Sequence, residues 1–297
     1  MLSNPLVSII ISTQNSDQYL EVALASIVNQ TYSNIEVIVM DYQSTDSTLE
    51  IAKSYTHRVY QSDSDLTPEQ YNQGVSQASG QYLYLMEPHW ILEPTVIGES
   101  VLKISGDNQA IVIHTTPDNR QGFLSSIRKL EIDTYKYSLD NSTARFFGTR
   151  LYRAIGGLKP LQYGWDYDLQ TRLDKSGIKS IYIDAEAMDL AQPTQWRGLF
   201  GNFYDLGYNL REFLNADQSA NLSKLSPLRQ GYFKYRIRFA REPVLTIGFG
   251  FYLMIKYLAG TFGLIHASLN QSLKNLIPTP ILTRRNIPIS NKPIFYE

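Results

Sequence analysis

Cysteine is absent from the chain. Disulfides, thiolate metal sites and a cysteine nucleophile are therefore excluded, and the composition is compatible with a reducing compartment. Histidine is scarce: only His57, His89, His114 and His266 occur, and no pair has the spacing of a metal-binding motif. Neither sign of charge is in excess, with 27 basic and 28 acidic residues, so no global field favours nucleic acid and no nucleic-acid partner is expected. The first strand–helix turn, Ser12-Thr13-Gln14-Asn15-Ser16, lacks G-x-G-x-x-G, which disfavours a dehydrogenase-type dinucleotide fold; a P-loop lysine motif is also missing. Met1 to Pro5 shows no basic stretch leading into an apolar one, so no secretory signal is expected.

What is present is a globular balance of 43% hydrophobic and 19% charged residues over a length that can bury a sizeable core. Val7 to Ile11 and Ile35 to Met40 are β-branched runs typical of strands buried on both faces. Leu20, Ala23, Leu24, Ile27 and Val28 recur at helical spacing between them. Ser47-Thr48-Leu49-Glu50 and Thr67-Pro68-Glu69-Gln70 fit capping boxes, the second with proline early in the helix. Arg58 to Tyr60 and Tyr82 to Met86 complete the strands, and Gly80 is expected to stop the third helix in a left-handed conformation. This β-α-β-α-β-α-β order predicts an open, mostly parallel sheet with helices on both faces. Ligands bind such sheets outside the carboxyl ends of the strands. Thr13, Asp41 and Glu87 all fall at such ends, so three strands direct polar groups at one crevice.

The second half is less regular. Ala110 to His114, Arg145 to Gly148 and Lys179 to Ile183 read as strands, Leu151 to Ile155 and Asp166 to Ser176 as helices, and 115–143 as ambiguous. The composition shifts near Pro193. We therefore expect one unit over 1–195, divided near residue 90, and a helical C-terminal region over 196–297. That region holds an aromatic-rich helix from Trp196 to Leu214 and a stretch from Lys224 to Arg241 with basic but no acidic residues. An apolar run from Val244 to Ile265, broken by Lys256, and a proline-punctuated tail from Pro278 to Pro293 follow. Basic residues ahead of an apolar helix predict association with the cytoplasmic face of a membrane, as a peripheral or monotopic protein rather than a full span.

Several segments resemble the inverting family 2 glycosyltransferases. Val7 to Asn15 (VSIIISTQN) is similar to that family's V-S-I-I-I-P-T-Y-N, and Ser26 to Asp46 to its S-x-x-x-Q-T-Y-x-N-I-E-V-I-V-V-D-D-G-S-T-D. Asn72-Gln73-Gly74 to Met86 resembles the stretch leading into the family's D-x-D. Gly156-Gly157 with Trp165-Asp166-Tyr167-Asp168-Leu169 and Arg172-Leu173 resembles G-G-F…E-D-x-x-L-x-x-R-L, and Gly260-Thr261-Phe262-Gly263 a D-G-x-x-G segment. The resemblance implies a GT-A fold whose residues 1–90 hold a nucleoside-diphosphate sugar and 91–195 the acceptor. It implies transfer with inversion to a hydroxyl of a glycan or lipid-linked acceptor, in cell-envelope polysaccharide synthesis. Four positions depart from the pattern: Gln14, Tyr42, the Glu87-Pro88-His89-Trp90 segment and Trp165. These departures motivate a second reading, a degenerate subunit that binds a sugar nucleotide or a partner enzyme without turnover.

By the same resemblance Asp41 contacts the donor's base and one of two carboxylates, Asp166 in preference to Asp168, is the catalytic base, with Asp168 then in the substrate site; the alternative is that both only complement the start of a helix. Thr13 and Asn15 are candidate donor contacts, although turns favour such residues anyway. Asp46 reads as a helix-terminus carboxylate. Trp90 and Trp165 are candidates for stacking on sugar rings or for ordinary packing. Glu87 and His89 stand where the family has two metal-binding aspartates. Two residues apart, they can point the same way and hold a divalent cation, manganese or magnesium. The alternative is that Glu87 pairs with a basic neighbour and His89 lines the cleft.

Overall fold

The computed structural model describes residues 4–276 except 107, 119, 121, 135, 137–142, 193–194, 217–231 and 233–235; for 211–216 and 271–276 it describes the helical backbone. The N-terminal alternation is as expected: β1 (Val7–Thr13), α1 (Asp17–Val28), β2 (Ile35–Asp41), α2 (Thr48–Tyr55), β3 (Val59–Gln61), α3 (Thr67–Gln77) and β4 (Tyr82–Met86). Then follow β5 (Trp90–Leu92), α4 (Val96–Lys103), β6 (Gln109–Pro117), α5 (Phe123–Asp133), β7 (Phe146–Gly148), α6 (Thr149–Ala154), α7 (Trp165–Lys175) and β8 (Lys179–Asp189). The C-terminal region is α8 (Trp196–Ala216), α9 (Arg236–Arg241) and α10 (Pro243–Leu276). Lys224, Arg229, Lys234 and the tail from Pro278 to Pro293 lie outside the described residues.

Among the described residues the strands form one sheet in the order β3-β2-β1-β4-β7-β6-β8-β5. β3, β2, β1 and β4 are mutually parallel. β7 then runs antiparallel to both β4 and β6, and β5 antiparallel to β8, so the second half of the sheet is mixed. Every residue of β1 is buried, as its position in mid-sheet requires. Ile9 and Ile11 face one layer, with Leu20, Leu24 and Ile27 of α1 and Val96 and Ile97 of α4. Ile10 faces the other, with Tyr71 and Val75 of α3 and Leu169 and Leu173 of α7. This is the period-two alternation of a strand covered on both sides.

Three glycine and cap expectations are corrected. Thr67 is not the cap of α3; it is already helical, and the cap position is Leu66, with no side-chain cap bond. Gly80 is not left-handed; among the described glycines, positive φ is taken by Gly106, Gly122, Gly156, Gly157, Gly164 and Gly177. α3 ends at Gln77, and Gly80 is needed because a Cβ there would sit 2.7 Å from the Ser8 backbone nitrogen and 2.8 Å from the Leu6 carbonyl oxygen. At α2, Ser47 makes no side-chain cap bond. Asp46 does that job: its Oδ1 accepts from Thr48 N at 3.0 Å and its Oδ2 from Asp17 N at 3.3 Å, so one carboxylate joins the starts of α1 and α2. Those bonds hold the Asp46 pKa below its ordinary value, although burial alone would raise it.

A third apolar cluster joins α5 (Leu124, Ile127, Leu130) to α8 (Leu199) and α10 (Phe249, Tyr252). Lys256, which interrupts the apolar run, turns inward and donates to Glu131 Oε1 at 2.8 Å. Tyr252 donates to Glu131 Oε2 at 2.5 Å. Burial alone would raise the Glu131 pKa, but Lys256 and then Arg128 outweigh it and hold the group down at about 2. α8 and α10 touch backbone to backbone: a Cβ on Gly207 would collide with Gly260, and one on Gly263 with Tyr204. Gly260 and Gly263, compared above with a D-G-x-x-G segment, thus serve helix contact here.

Candidate active site at the carboxyl edge of the sheet

The register of the central strands builds the site. Thr13 is paired with Asp41 across β1 and β2, and Ile11 with Met86 across β1 and β4, which brings Glu87 to the same edge. Asp41 is fully buried and heavily hydrogen-bonded. Its Oδ1 accepts from Thr13 Oγ1 at 3.0 Å and from Ser44 Oγ at 2.5 Å, and its Oδ2 from Ser44 N at 3.1 Å. Asn15 adopts φ 46°, a left-handed conformation that asparagine tolerates better than most residues. Its N donates to Ser44 Oγ at 2.8 Å and its Oδ1 accepts from Thr45 N at 2.9 Å. Thr13, Asn15 and Asp41 therefore knit the β1–α1 and β2–α2 loops into one rigid floor.

Arg145, which sequence reasoning did not select, occupies the middle of the edge. Its backbone is held between two strands: its carbonyl accepts from Leu85 N at 2.9 Å and its N donates to Ile111 O at 3.1 Å. Its guanidinium lies over the Trp165 ring at 4.4 Å and the Trp90 ring at 5.2 Å, and Nη1 donates to Glu87 Oε1 at 3.1 Å. Burial lowers its proton affinity, but Glu87 foremost, with Tyr71 and Asp166, more than reverses this, so its pKa lies above the ordinary arginine value. Arg145 thus joins the end of β4 to the start of α7 as a permanent charge. Trp90 and Trp165 are nearly buried and offer ring faces to this guanidinium.

Glu87 and His89 diverge. While Glu87 turns to Arg145, His89 Nε2 lies 3.6 Å from Asp189 Oδ1, at the far end of β8. Asp189, also missed from sequence, is brought there by the Trp90↔Asp189 pairing of β5 with β8, two elements whose junction no sequence spacing reveals. No group of three or more His, Asp or Glu side chains among the described residues could hold a metal. His89 and Asp189 nonetheless form a mixed imidazole–carboxylate pair within reach of one ion, and a nucleotide-bound ion needs few protein ligands. Glu87 fits that role poorly, because its charge already answers a buried guanidinium.

At the start of α7 two carboxylates part ways. Both oxygens of the buried Asp168 are taken, by Lys159 Nζ at 2.6 Å and Arg172 Nε at 2.7 Å, and Arg172 also donates to Ile155 O at 2.6 Å. Asp168 therefore clamps the Gly156–Leu161 loop. Asp166 is partly exposed, and its Oδ1 accepts from Tyr167 N at 2.9 Å. Gly164, at φ 73°, lets the chain turn into the helix there.

Comparison with known proteins agrees with this architecture. The profile described as Glycosyl transferase family 2 matches residues 8–164. An uncharacterised glycosyltransferase of Rickettsia typhi is 27% identical over 206 residues, which cover 62% of this chain and 63% of that one. A Rickettsia prowazekii glycosyltransferase matches to the same extent at 28% identity, so the chain spans about 63% of the length of these curated relatives. Among solved structures, the mannosyltransferase PcManGT of Pyrobaculum calidifontis, in complex with GDP-Man and Mn2+, superposes with a TM-score of 0.56 at 16% identity, covering 94% of this chain and 77% of that one. S. aureus TarS 1–349 in complex with UDP-GlcNAc gives 0.51 at 16% identity, covering 91% and 92%. Those two likenesses concern the fold; with the profile match over more than half the length, the chain belongs to glycosyl transferase family 2 and has its GT-A-type architecture.

Proposed function

We propose that the protein transfers a sugar from a nucleoside-diphosphate sugar to a hydroxyl of a glycan or lipid-linked acceptor, with inversion, in cell-envelope polysaccharide synthesis. The observation that carries this reading is the convergence of Asp41, His89 and the partly exposed Asp166 from separate elements on the carboxyl edge of a family 2 fold. The neighbours solved with GDP-Man and with UDP-GlcNAc support a nucleotide-sugar donor. The Asp41 floor receives the donor's base, with Thr13 and Asn15 holding it in shape. Asp166 is the general base: its carboxylate takes the acceptor hydroxyl's proton as the oxygen attacks the anomeric carbon, and the bond to the diphosphate oxygen breaks on the opposite face. Asp168, held by two cations, positions the loop in front of Asp166 rather than touching substrate. Arg145 positions Trp165 and so Asp166. A divalent cation, manganese or magnesium, would be held by His89 and Asp189 and would stabilise the charge of the departing nucleoside diphosphate.

The same proposal places the C-terminal helices on the cytoplasmic face of a membrane, with 196–297 as the attachment region and 1–195 as the transferase unit. Pro243–Asn270 is long and apolar enough to cross a membrane by length and composition. Its Lys256 face, however, is engaged by Glu131 of α5, while Ile247, Phe251, Met254, Leu258 and Phe262 are exposed. One committed face and one open apolar face, beside the basic α9, fit a helix lying in the interface.

The test is a panel of UDP- and GDP-sugars screened by thermal shift. Release of nucleoside diphosphate upon adding alkyl glycoside acceptors, and the product's anomeric configuration by NMR, follow. One donor is expected to stabilise the protein and to give a product of opposite configuration. Retention of configuration, or no nucleotide raising the melting temperature, refutes the reading.

A further inference from the structure

We propose that a cavity of about 400 Å³ walled by α8 is the subsite for a neutral sugar ring of the acceptor. The inference rests on the transfer reading above and deepens it by naming the ligand class and the residues that select it. The cavity lies between the loop ahead of α7, the segment after β8 and α8, and includes Arg128, Tyr163, Gln192, Asn202, Phe203 and Asp205. Its volume is in the range of small-molecule sites.

Both ends of the active site reach it. Tyr163 stands three residues ahead of Asp166 in the chain. Gln192 Nε2 donates to Asp189, the carboxylate facing His89. Two wall residues also carry buried polar atoms that find no partner among the described residues: Arg128 Nε, a donor, and Gln192 Oε1, an acceptor. Buried polar groups are normally paired, so such atoms in a cavity wall mark unused hydrogen-bonding capacity. Each belongs to a side chain anchored at another atom, Arg128 through Nη1 to the Tyr252 hydroxyl at 2.9 Å and Gln192 through Asp189. A small side-chain rotation therefore presents one donor and one acceptor. Hydroxyl groups both give and take hydrogen bonds and match that pair.

The charge pattern separates a sugar from a phosphate. Arg128 alone would suit an anion, but Asp205 shares the wall and would repel one. Burial holds the Asp205 carboxyl above its ordinary pKa. Burial, and then Asp205, raises the Tyr163 hydroxyl, in keeping with a partly desolvated cleft shared by the two. The Tyr163 and Phe203 rings add apolar surface for the C–H face of a pyranose. Because α8 supplies Asn202, Phe203 and Asp205, the subsite is incomplete without the C-terminal region.

The experiment uses the full chain and saturation-transfer NMR with methyl glycosides of glucose, galactose, mannose, rhamnose and N-acetylglucosamine, with inorganic phosphate as competitor. UDP and GDP affinities are measured in parallel by calorimetry. At least one glycoside is expected to bind the native protein, and phosphate not to displace it. Asn202→Trp, at an exposed position that fills the cavity, should weaken that glycoside by about tenfold or more, the loss of one to two hydrogen bonds and their packing. Asn202→Ala should weaken it by about threefold, the loss of one exposed hydrogen bond, and nucleotide affinity should be unchanged in both. The proposal is overturned if no glycoside binds the native protein, if Asn202→Trp binds it as well as native, or if phosphate competes. A failure confined to the nucleotide measurements counts against the transfer reading and not against the subsite.

Discussion

Asp166 and Asp168 sit two residues apart on one helix, yet their surroundings assign them different work. Asp168 faces two cations at salt-bridge distance, while Asp166 keeps an oxygen for a proton. Asp166→Asn is therefore expected to lower turnover by about 100- to 10,000-fold, the usual worth of a general base, with donor affinity retained. Asp168→Asn should instead lower the melting temperature, since it strands Lys159 and Arg172; the two variants are compared by steady-state kinetics and calorimetry. The cation assignment is checked in the same way. Manganese should tighten nucleoside-diphosphate binding to the native protein and to Glu87→Gln, and leave His89→Ala and Asp189→Asn unaffected. Equal tightening in all four would remove His89 and Asp189 from that role. At this scale the sequence showed which carboxylates end strands, because strand ends follow from local patterning. It could not show Arg145 or Asp189. Each reaches the edge through an antiparallel pairing, β7 on β4 and β8 on β5, that neighbours in sequence do not announce.

The elements found most readily from sequence were those with strong local signals. β1, β2 and β4 are β-branched or apolar runs between turns, and α7 carries Leu169 and Leu173 inward before Gly177, at φ 70°, ends it. Short β5 escaped notice because three residues carry no periodicity, and α5 because it lies in a polar stretch. The apolar face of α5 is complete (Leu124, Ile127, Leu130), but its partners lie on α8 and α10. That junction gives a prediction in pH. Glu131 has a folded-state pKa of about 2, depressed by Lys256 and Arg128 against its burial, and an unperturbed glutamate titrates at about 4.3. The stabilisation is present above the unfolded value and is lost as pH falls from about 4 toward the folded pKa. Glu131→Gln should therefore abolish this part of the acid dependence in circular-dichroism melts. It should also destabilise the α5–α10 junction at neutral pH by about 3–5 kcal/mol, the usual cost of breaking a buried ion pair from one side. An acid profile unchanged by the substitution would show that the pair does not hold the junction.

For the whole molecule, the exposed stripe of α10 and the basic α9 predict an orientation on lipid. The full chain should co-sediment with anionic vesicles and less with neutral ones. Replacing Ile247 and Phe262 by aspartate should remove that binding without lowering the melting temperature, because both are exposed. Arg236→Glu with Arg241→Glu should weaken that binding and flatten its dependence on salt, each basic residue being worth about 1 kcal/mol near such a surface. Undiminished sedimentation of both variants would mean that this face meets something other than lipid. The glycine contact between α8 and α10 has a mechanical consequence. Side chains that separate two helices can change rotamer and let them slip by a fraction of a turn. Where Gly207 meets Gly260, and Gly263 meets Tyr204, backbone lies on backbone and no such play exists. A push or twist on α10 therefore carries α8 with it, and with α8 the wall that Asn202, Phe203 and Asp205 give to the cleft.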